Sequence, residues 1–428
     1  MKILLVSLYH PELVRGGAQQ IAYELFQGLK QVPDVEVILL ASIDHAAPAL
    51  FKSGARITGF DGRPGEFLFL SREYDYAWEK TSNVQLVESF KEFLQLTQPD
   101  VVHFHHFLTF GIDLLTLTRR VLPGVKIVFT AHEFLTICAA NGHMVRRTDQ
   151  SLCSRASAVR CHQCLPERPP EHYFMREMWM KTHLAVVDRF TTPSRFMIDQ
   201  FAEWGLPREK FAHVANGQAL APRRALAATA REKRNRFGFF GQLVDVKGVQ
   251  VILEAVALLR ADGFTDFVVE INGDNIQFAT PKRRDEIEAF MAEEEQRPRD
   301  ERNVFLNGSY HHDQLASRMA RVDWCIVPSV WWEIFCLVIS EAWNYGRPVI
   351  ASNAGGPAER ITDDVDGLLF ELGDARALAE TMRRACTEDG LWDRLAAGIR
   401  PIPDRTHMVR QFLDVYRDEK RAARLAAE

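Results

Sequence analysis

Long apolar segments are absent from this sequence of 428 residues, because no hydrophobic run approaches the length of a membrane span. The stretch 1–9 is also too short for a secretory signal peptide and lacks a small-residue cleavage site. It is typical of a first buried strand instead. We therefore expect a cytoplasmic protein, and peripheral contact with the inner face of the cell membrane stays open.

The charge balance gives no sign of a nucleic-acid partner. Lysine and arginine number 52 against 57 aspartate and glutamate residues, so the formal net charge is −5, and no RNA- or DNA-binding motif stands out. The chain also lacks the three spaced glycines of a dinucleotide fingerprint, since its first strand-to-helix loop carries only the pair Gly16-Gly17. These absences argue against a nucleic-acid-binding protein and against a doubly wound oxidoreductase.

Predicted strands and helices alternate from end to end, and the chain is too long for one hydrophobic core. Such alternation indicates parallel sheets with right-handed crossovers. The predicted strands are 2–8, 35–41, 100–106, 126–132, 189–193 and 212–216 in the first half, and 236–241, 267–272, 304–307, 324–328, 349–352 and 368–370 in the second. Helices are predicted at 16–30 and 114–121.

The predicted domain boundaries follow from this alternation. An N-terminal domain covers residues 1–217, and a C-terminal domain covers residues 236–404. Between them, residues 218–235 are rich in alanine and arginine without a clear period, which predicts a linker. A long, charged helix over residues 405–428 ends the sequence, and a frayed surface helix is the alternative to a packed one.

Two glutamates eight positions apart, Glu333 and Glu341, are the most informative feature of the second half. Glu333 follows a predicted buried strand and lies in a strand-to-helix loop, and Glu341 lies about two helical turns further on. The next predicted strand is followed by the pair Gly355-Gly356. Both loops leave the carboxyl ends of strands, where open α/β sheets bind ligands. A solvated helix that carries two acidic residues is the alternative.

This pattern resembles family 4 of the retaining, nucleotide-sugar-dependent glycosyltransferases. The Glu-x7-Glu motif of that family falls on Glu333 and Glu341, its strand, Gly-Gly pair and Glu fall on residues 348–359, and its next strand falls on residues 366–369. The resemblance extends over nearly the whole chain. It implies the GT-B fold, an α/β architecture of two Rossmann-like parallel-sheet domains facing across a cleft, with a C-terminal helix that crosses back to the N-terminal domain.

The resemblance also implies roles for individual residues. Glu333 faces the donor sugar as a catalytic residue, and Glu341 binds the donor ribose hydroxyls. Lys247 neutralises the donor diphosphate. Further donor contacts are implied at Gly16, Gly17, Gln242, Phe335, Cys336, Leu337, Gly355 and Gly356.

The sequence departs from the family pattern at two places. Position 242 is Gln242 where the family has arginine, and glutamine can hydrogen-bond a phosphate oxygen but brings no charge. Arg236 or Arg15 would have to compensate. Ile334 and Cys336 stand where the family often has glycine, so their bulk is expected to narrow the sugar pocket or to alter backbone contacts.

Four histidines follow two neighbouring predicted strands of the N-terminal domain. His103, His105 and His106 cluster at the end of one strand, where a metal site, a cleft lining and core packing all stay open. His132 stands alone at the end of the next strand, and a hydrogen-bonded core histidine would explain it. The family carries a histidine at this position that faces the donor sugar, so the resemblance implies a catalytic role for His132.

Four of the seven cysteines fall in one segment, at Cys138, Cys153, Cys161 and Cys164. A Cys-x2-Cys pair in a cytosolic setting favours zinc over disulfides, although the other spacings are irregular for a zinc ribbon, and free thiols and disulfides stay open. The insertion 137–170 is long and lacks periodicity, so a metal or a packed helix has to order it. We expect a structural zinc there, and no cofactor for catalysis.

The sequence therefore predicts a retaining glycosyltransferase of the hexosyltransferase type. A nucleotide-diphosphate sugar, based on UDP or GDP, is the expected co-substrate of the second domain. The expected acceptor is a hydroxyl of a glycan or of a polyprenyl-linked lipid, in the synthesis of surface polysaccharide. A nucleotide-sugar epimerase of the same fold and a catalytically silent binding protein are the alternatives, and the departures at positions 242, 334 and 336 keep the silent protein in view.

Overall fold

The computed structural model describes residues 1–44, 56–219 and 233–425. The chain divides into two compact units, of which unit 1 is Met1–Ala219 with Pro403–Glu428 and unit 2 is Leu220–Ile402. Most of the predicted linker, at 220–232, lies outside the described residues, and so do the last three positions of the predicted C-terminal helix. Each unit is built on its own sheet.

Unit 1 is an α/β unit, and its described residues form ten strands. The strands are β1 (Lys2–Ser7), β2 (Glu36–Ile43), β3 (Ile57–Gly59), β4 (Glu66–Leu70), β5 (Tyr74–Asp75), β6 (Lys80–Thr81), β7 (Val101–Phe104), β8 (Lys126–Thr130), β9 (Arg189–Thr192) and β10 (Phe211–His213). The helices are α1 (Gly17–Leu29), α2 (Val84–Thr97), α3 (Asp113–Val121), α4 (Ala158–Cys164), α5 (Pro170–Leu184) and α6 (Arg195–Glu203). Eight strands form one sheet in the order β10-β9-β8-β7-β1-β2-β4-β3, and β5 pairs with β6 alone.

Apolar sequence runs produce the centre of this sheet. The residues from Ile3 to Val6 of β1 are fully buried, as expected of a parallel strand that is covered on both faces. β1 pairs in parallel with β2 on one side and with β7 on the other. The strand order therefore reverses between β1 and β7, and open α/β sheets bind ligands at the carboxyl ends of strands at such a point.

Unit 2 is a second α/β unit with a six-stranded sheet. Its strands are β11 (Arg236–Phe240), β12 (Val268–Asn272), β13 (Val304–Leu306), β14 (Trp324–Val327), β15 (Val349–Ser352) and β16 (Gly367–Phe370). Its helices are α7 (Val249–Ala261), α8 (Pro281–Gln296), α9 (Leu315–Met319), α10 (Leu337–Asn344), α11 (Gly355–Arg360), α12 (Ala375–Thr387) and α13 (Leu391–Gly398). All neighbouring strands are parallel, in the order β13-β12-β11-β14-β15-β16. The order reverses between β11 and β14.

The last helix, α14 (Arg405–Leu425), belongs to unit 1. The Tyr416 hydroxyl lies 2.7 Å from Nδ1 of His103 at β7, and Lys126 Nζ of β8 donates to the Val415 carbonyl at 2.6 Å. Arg405 Nε also donates to Glu24 of α1 at 2.6 Å. The predicted return of the C-terminal helix to the N-terminal domain is thereby confirmed. No helix in the described part of the chain is long and apolar enough to cross a bilayer.

Every strand predicted from the sequence is present, and β3, β4, β5 and β6 are additional. In β4 the Oε2 atom of Glu66 lies 2.7 Å from the Nε2 atom of His10, and both side chains are buried. Burial lowers the pKa of His10, although the Glu66 carboxylate acts in the opposite direction. Glu66 is the first residue of β4, so the buried carboxylate precedes the four apolar residues of the strand.

Candidate functional site

In unit 2 the loop between β14 and α10 carries Glu333 at the point where the strand order reverses. Glu333 is 7% exposed. Its Oε2 atom receives three hydrogen bonds, from Lys247 Nζ at 2.7 Å, Ser329 Oγ at 3.0 Å and Trp331 Nε1 at 3.0 Å. Three donors on one oxygen fix the orientation of the carboxylate.

Lys247 reaches this carboxylate from the loop after β11. The loop is closed by a short 3-10 turn, and Gly248 follows with φ +76°. A Cβ atom at Gly248 would lie 1.8 Å from the Pro328 carbonyl oxygen, so only glycine lets the two loops approach this closely. Burial lowers the pKa of Lys247, but the charge and hydrogen bond of Glu333 outweigh it and the net pKa is raised. Lys247 is therefore a fixed cation, and it also lies over the Trp331 ring at 5.3 Å.

The Gly-Gly pair at the start of α11 packs against the backbone of the Glu333 loop. Gly355 has φ +59°, and a Cβ atom there would lie 2.5 Å from the Glu333 carbonyl oxygen. The Gly356 N–H donates to the same oxygen at 2.6 Å, and a Cβ atom at Gly356 would lie 2.3 Å from the Ile334 carbonyl oxygen. The two glycines thus hold the Glu333 loop by close backbone contact. Their contact with a donor stays a prediction.

Arg360, at the end of α11, fixes the same loop from its other side. Its Nη1 atom donates to the carbonyls of Phe335 and Cys336, each at 2.8 Å, and its Nη2 atom donates to Ser340 Oγ at 2.7 Å. The guanidinium lies 3.8 Å from the centre of the Phe335 ring. Burial lowers the pKa of Arg360 to about 10. Sequence reasoning missed this residue, and its only signal is an arginine four positions after the Gly-Gly pair.

Cys336 is the residue before α10 and has φ +61° and ψ +90°. A non-glycine residue in this backbone region is strained. Glycine would adopt this geometry freely, which accounts for the glycine of the family pattern, and Cys336 adopts it with strain. Burial raises the pKa of the Cys336 thiol to about 12, so the side chain is a neutral thiol at pH 7. Phe335 is buried beside it, and Leu337 opens the helix.

Glu341 and Gln242 are the remaining residues of unit 2 that were predicted to contact a donor. Glu341 is half-buried on α10, and, after burial, its charge is the second cause of the raised pKa of Tyr310. Gln242 is exposed directly after β11. Arg236 does not compensate for it, because it opens β11 at the opposite end and its Nη2 atom pairs with the buried Glu270 at 2.5 Å.

In unit 1 the four histidines lie together at the carboxyl ends of β7 and β8. His105 Nδ1 lies 3.0 Å from His132 Nε2, and the two rings stack with centroids 5.3 Å apart. His103 bonds Tyr416 through Nδ1 and Thr130 through Nε2, at 2.7 and 2.6 Å. Burial lowers the pKa values of His103, His105 and His132 well below the usual range. These rings are therefore neutral at pH 7. The sequence placed His105 in the His103 cluster, but it did not predict the bond from His105 to His132.

The carboxyl group of Glu133 follows directly after His132. Its Oε2 atom accepts from the Leu135 N–H, and its Oε1 atom lies 3.5 Å from His106 Nε2. His106 Nδ1 accepts from the Leu108 N–H at 3.0 Å, so the neutral ring carries its proton on Nε2, toward Glu133. Burial raises the pKa of Glu133 to about 8 and lowers that of His106 to about 4. Sequence reasoning missed this neutral acid beside the histidine cluster.

Gly16 and Gly17 lie at the start of α1. Gly16 has an ordinary extended backbone with φ −174°, and its carbonyl accepts from the Gln20 N–H at 3.0 Å to close the first helical turn. A Cβ atom at Gly16 would lie 2.4 Å from the Gln19 side chain. The pair therefore lies at the entry into α1, and a phosphate contact stays a prediction.

A solved structure shares this architecture over almost the full chain. HepE of Anabaena, determined in complex with UDP, superposes with a TM-score of 0.66 and 17% identity over 97% of this chain and 99% of that chain. Likeness at this identity shows the fold alone. The fold is GT-B, as the sequence predicts.

Two family models match the sequence. The model described as Glycosyltransferase Family 4 matches residues 15–220, and the model described as Glycosyl transferases group 1 matches residues 234–388. A D-inositol 3-phosphate glycosyltransferase of Xylanimonas cellulosilytica is 30% identical over 321 residues, which cover 74% of this chain and 71% of that protein. The chain belongs to glycosyltransferase family 4.

A GDP-mannose-dependent alpha-mannosyltransferase of Corynebacterium glutamicum is 26% identical over 253 residues. These residues cover 56% of this chain and 55% of the relative. The chain thus spans about half the length of the curated mannosyltransferases that it matches.

Proposed function

We propose that this protein is a retaining glycosyltransferase that moves a sugar from a nucleotide-diphosphate sugar to a hydroxyl of a glycan or lipid-linked acceptor, in the synthesis of surface polysaccharide. The observation that carries the proposal is the Lys247–Glu333 pair, which lies where the strand order of unit 2 reverses. Ligands bind at such a point in open α/β sheets, and a cation beside a carboxylate fits a substrate with an anionic and a sugar end.

The donor diphosphate is assigned to Lys247 and to the N-terminus of α10. Lys247 carries a stable positive charge, and the helix N-terminus adds partial positive charge and free amide donors. Glu341, further along α10, is assigned to the ribose hydroxyls. The GDP-mannose dependence named for the mannosyltransferase and the UDP bound to HepE support a nucleoside diphosphate here. The nucleotide sugar is a co-substrate, and no further cofactor is assigned to catalysis.

In the proposed reaction the bond between the anomeric carbon and the diphosphate oxygen breaks through an oxocarbenium-like state. Lys247 stabilises the negative charge that grows on the leaving diphosphate, and the Glu333 carboxylate favours the positive charge at the sugar. The acceptor hydroxyl then bonds to the anomeric carbon on the same face. Its proton passes to the leaving phosphate oxygen, so retention of configuration requires no protein base.

Unit 1 is assigned the acceptor and the catalytic residue His132. The His105 ring holds His132 by a 3.0 Å hydrogen bond, and both rings are neutral at pH 7 because burial lowers their pKa values. A neutral imidazole can donate a hydrogen bond to a sugar hydroxyl or accept one from it without adding charge. Localisation in the cytoplasm, with contact at the inner face of the membrane, completes the proposal.

The test is a product analysis of the purified protein with UDP- and GDP-sugars, with and without sugar or lipid-linked acceptors. The expected result is acceptor-dependent release of one nucleoside diphosphate, with a new glycosidic bond that keeps the anomeric configuration of the donor in NMR spectra. An epimerised donor in the absence of acceptor would favour the epimerase instead. Absence of calorimetric binding by both UDP and GDP would favour a catalytically silent protein.

A further inference from the structure

The insertion 137–170 of unit 1, called the cysteine segment below, gathers four cysteines around one small cavity. Cys138, Cys153, Cys161 and Cys164 all line this cavity, whose volume is about 30 Å³. A site of roughly 10–15 Å³ already accommodates one water-sized particle. None of the seven cysteines, all of which lie in the described part of the chain, is in a disulfide.

Local backbone structure brings these positions together from distant parts of the segment. Val145 and Leu152 form an antiparallel bridge, and the Cys153 N–H donates to the Met144 carbonyl at 2.7 Å. Cys161 and Cys164 are three residues apart on α4, which places them on the same face of the helix. The hairpin thus supplies one of the four cysteines and α4 supplies two, and four cysteines are one of the ligand sets of structural zinc sites.

Two nearby groups are placed to stabilise metal-bound thiolates. The Arg147 N–H donates to Cys164 Sγ at 3.3 Å, and such backbone donors stabilise metal-bound thiolates. Arg176, which is 4% exposed, is held by the carbonyls of Leu135 and Thr136. Its positive charge is close enough to Cys138 and Cys161 to interact with both. A site of four thiolates and one Zn²⁺ carries a net charge of −2, which this buried guanidinium offsets in part.

We propose that the cysteine segment binds one structural Zn²⁺ through Cys138, Cys153, Cys161 and Cys164. Among the described residues, no three metal-ligating side chains already stand in a metal-binding arrangement. Cys138 and Cys153 instead donate to the carbonyls of Ala140 and Arg155, at 3.8 and 3.4 Å. Binding turns these thiols toward the cavity and releases four protons, one from each sulfur, as four Zn–S bonds form.

Neighbouring histidines are not needed for this ligand set. His162 lies on α4 between the two cysteines, but its Nδ1 atom is 2.8 Å from the Arg168 carbonyl. Four sulfurs complete a tetrahedral site that leaves no open position for substrate or water. The zinc therefore does no chemistry, and its role is to cross-link the segment.

The cross-link has a structural consequence for unit 1. Met144, Ala156 and Arg160 line both the cysteine cavity and a second cavity of about 420 Å³. Phe174 and Trp204 form part of the wall of this larger cavity. A metal that fixes the cysteine segment therefore fixes one wall of the larger cavity. The zinc site stands independently of the proposed glycosyl transfer, because it rests only on the cysteine segment.

The proposal is tested on untagged full-length protein that is purified without chelator. Elemental analysis should find about one zinc per chain, because four thiolates close one site. The metal-depleted protein, titrated with Co²⁺, should develop thiolate-to-cobalt charge-transfer absorption and the d–d bands of a tetrahedral site, with saturation at one equivalent. Cys161→Ser should lower the zinc content and the charge-transfer intensity. Cys386→Ser, which changes a half-buried cysteine on α12 of unit 2, should change neither.

Measurements on the wild-type protein decide the matter even if the Cys161 variant does not fold. The proposal would be overturned if protein purified without chelator contained no metal and all four thiols of the cysteine segment reacted freely with a thiol reagent. Loss of two hydrogens per cysteine pair in the non-reduced mass would overturn it in favour of disulfides. Iron with sulfide in place of zinc would overturn it as well.

Discussion

Lys247 Nζ lies 2.7 Å from Glu333 Oε2, so the residues assigned to the diphosphate and to the sugar form one ion pair. The pair joins the loop after β11 to the loop after β14. Replacing either side chain therefore changes the electrostatic environment of the other. Substitutions at the two positions are therefore expected to be non-additive in their effects on turnover.

Glu333→Gln should lower kcat by roughly 10²-fold or more, because the amide keeps the shape of the carboxylate but does not favour positive charge at the sugar. Nucleoside diphosphate affinity should not fall, since Lys247 loses its neutralising partner. Steady-state kinetics and calorimetry measure the two effects separately. Glu254→Gln, at an exposed position of α7, is the matched control. Full turnover by Glu333→Gln would contradict the assignment.

Lys247→Ala should weaken the binding of the correct nucleoside diphosphate by about 1.5–3 kcal/mol, the typical contribution of a charge-assisted hydrogen bond. Isothermal titration measures the change. Lys282→Ala removes an exposed lysine from α8 and should leave the affinity unaltered. Wild-type affinity in Lys247→Ala would show that other groups neutralise the diphosphate.

Arg360→Lys should reduce the free energy of unfolding by about 1–3 kcal/mol, because an ammonium group cannot donate to both loop carbonyls and to Ser340 in the planar geometry of a guanidinium. Chemical denaturation followed by fluorescence measures this loss. Arg376→Lys, at an exposed position of α12, should have almost no effect. Equal stability of the two variants would refute the role of Arg360 as a clamp of the Glu333 loop.

Cys336→Gly should be at least as stable as Cys336→Ala, because the backbone at this position has φ +61°. The order is reversed in the interior of a helix, where glycine is about 1 kcal/mol less favourable than alanine. The comparison of these two variants removes the thiol from both and isolates the effect of the Cβ atom. A clearly more stable alanine variant would show that the backbone relaxes away from the strained geometry.

Glu133→Gln should become more stable relative to the wild type as the pH rises from about 4.5 to about 8. The folded-state pKa of Glu133 is raised above its unfolded value, so its stabilising contribution is complete below about 4.5 and is lost as pH passes 8. The difference can grow by at most about 1.4 kcal/mol per pH unit. Thermal or chemical unfolding of both proteins across this range measures it, and a pH-independent difference would contradict the raised pKa.

The sequence predicts the elements of this fold well where one physical pattern dominates. The apolar runs of β1 and β15 mark buried parallel strands, and the Glu-x7-Glu spacing across α10 identifies the family. The same sequence patterns do not predict the local backbone geometry at individual positions. Nothing in the sequence states that Gly356 donates its N–H to the Glu333 carbonyl, or that Cys336 adopts a positive φ.

Contacts between residues distant in sequence account for most of what was missed. Arg360 follows the Gly-Gly pair closely, but its three acceptors lie 20 to 25 positions earlier. The pairing of His105 with His132 depends on the register of β7 with β8. Arg236 was considered as a phosphate ligand because it is near Gln242 in sequence. Arg236 and Gln242 lie at opposite ends of strand β11, and this separation is visible only in the structure.

The membership of α14 in unit 1 has a consequence for synthesis on the ribosome. His103 belongs to the first half of the chain, whereas Tyr416, which bonds to it, belongs to the last helix. All of unit 2 is translated between them. Unit 1 therefore begins to emerge first but can complete its packing only last, after its neighbour has had time to fold. A nascent chain stalled before α14 would present an unfinished face at β7, and we expect chaperones to recognise this intermediate.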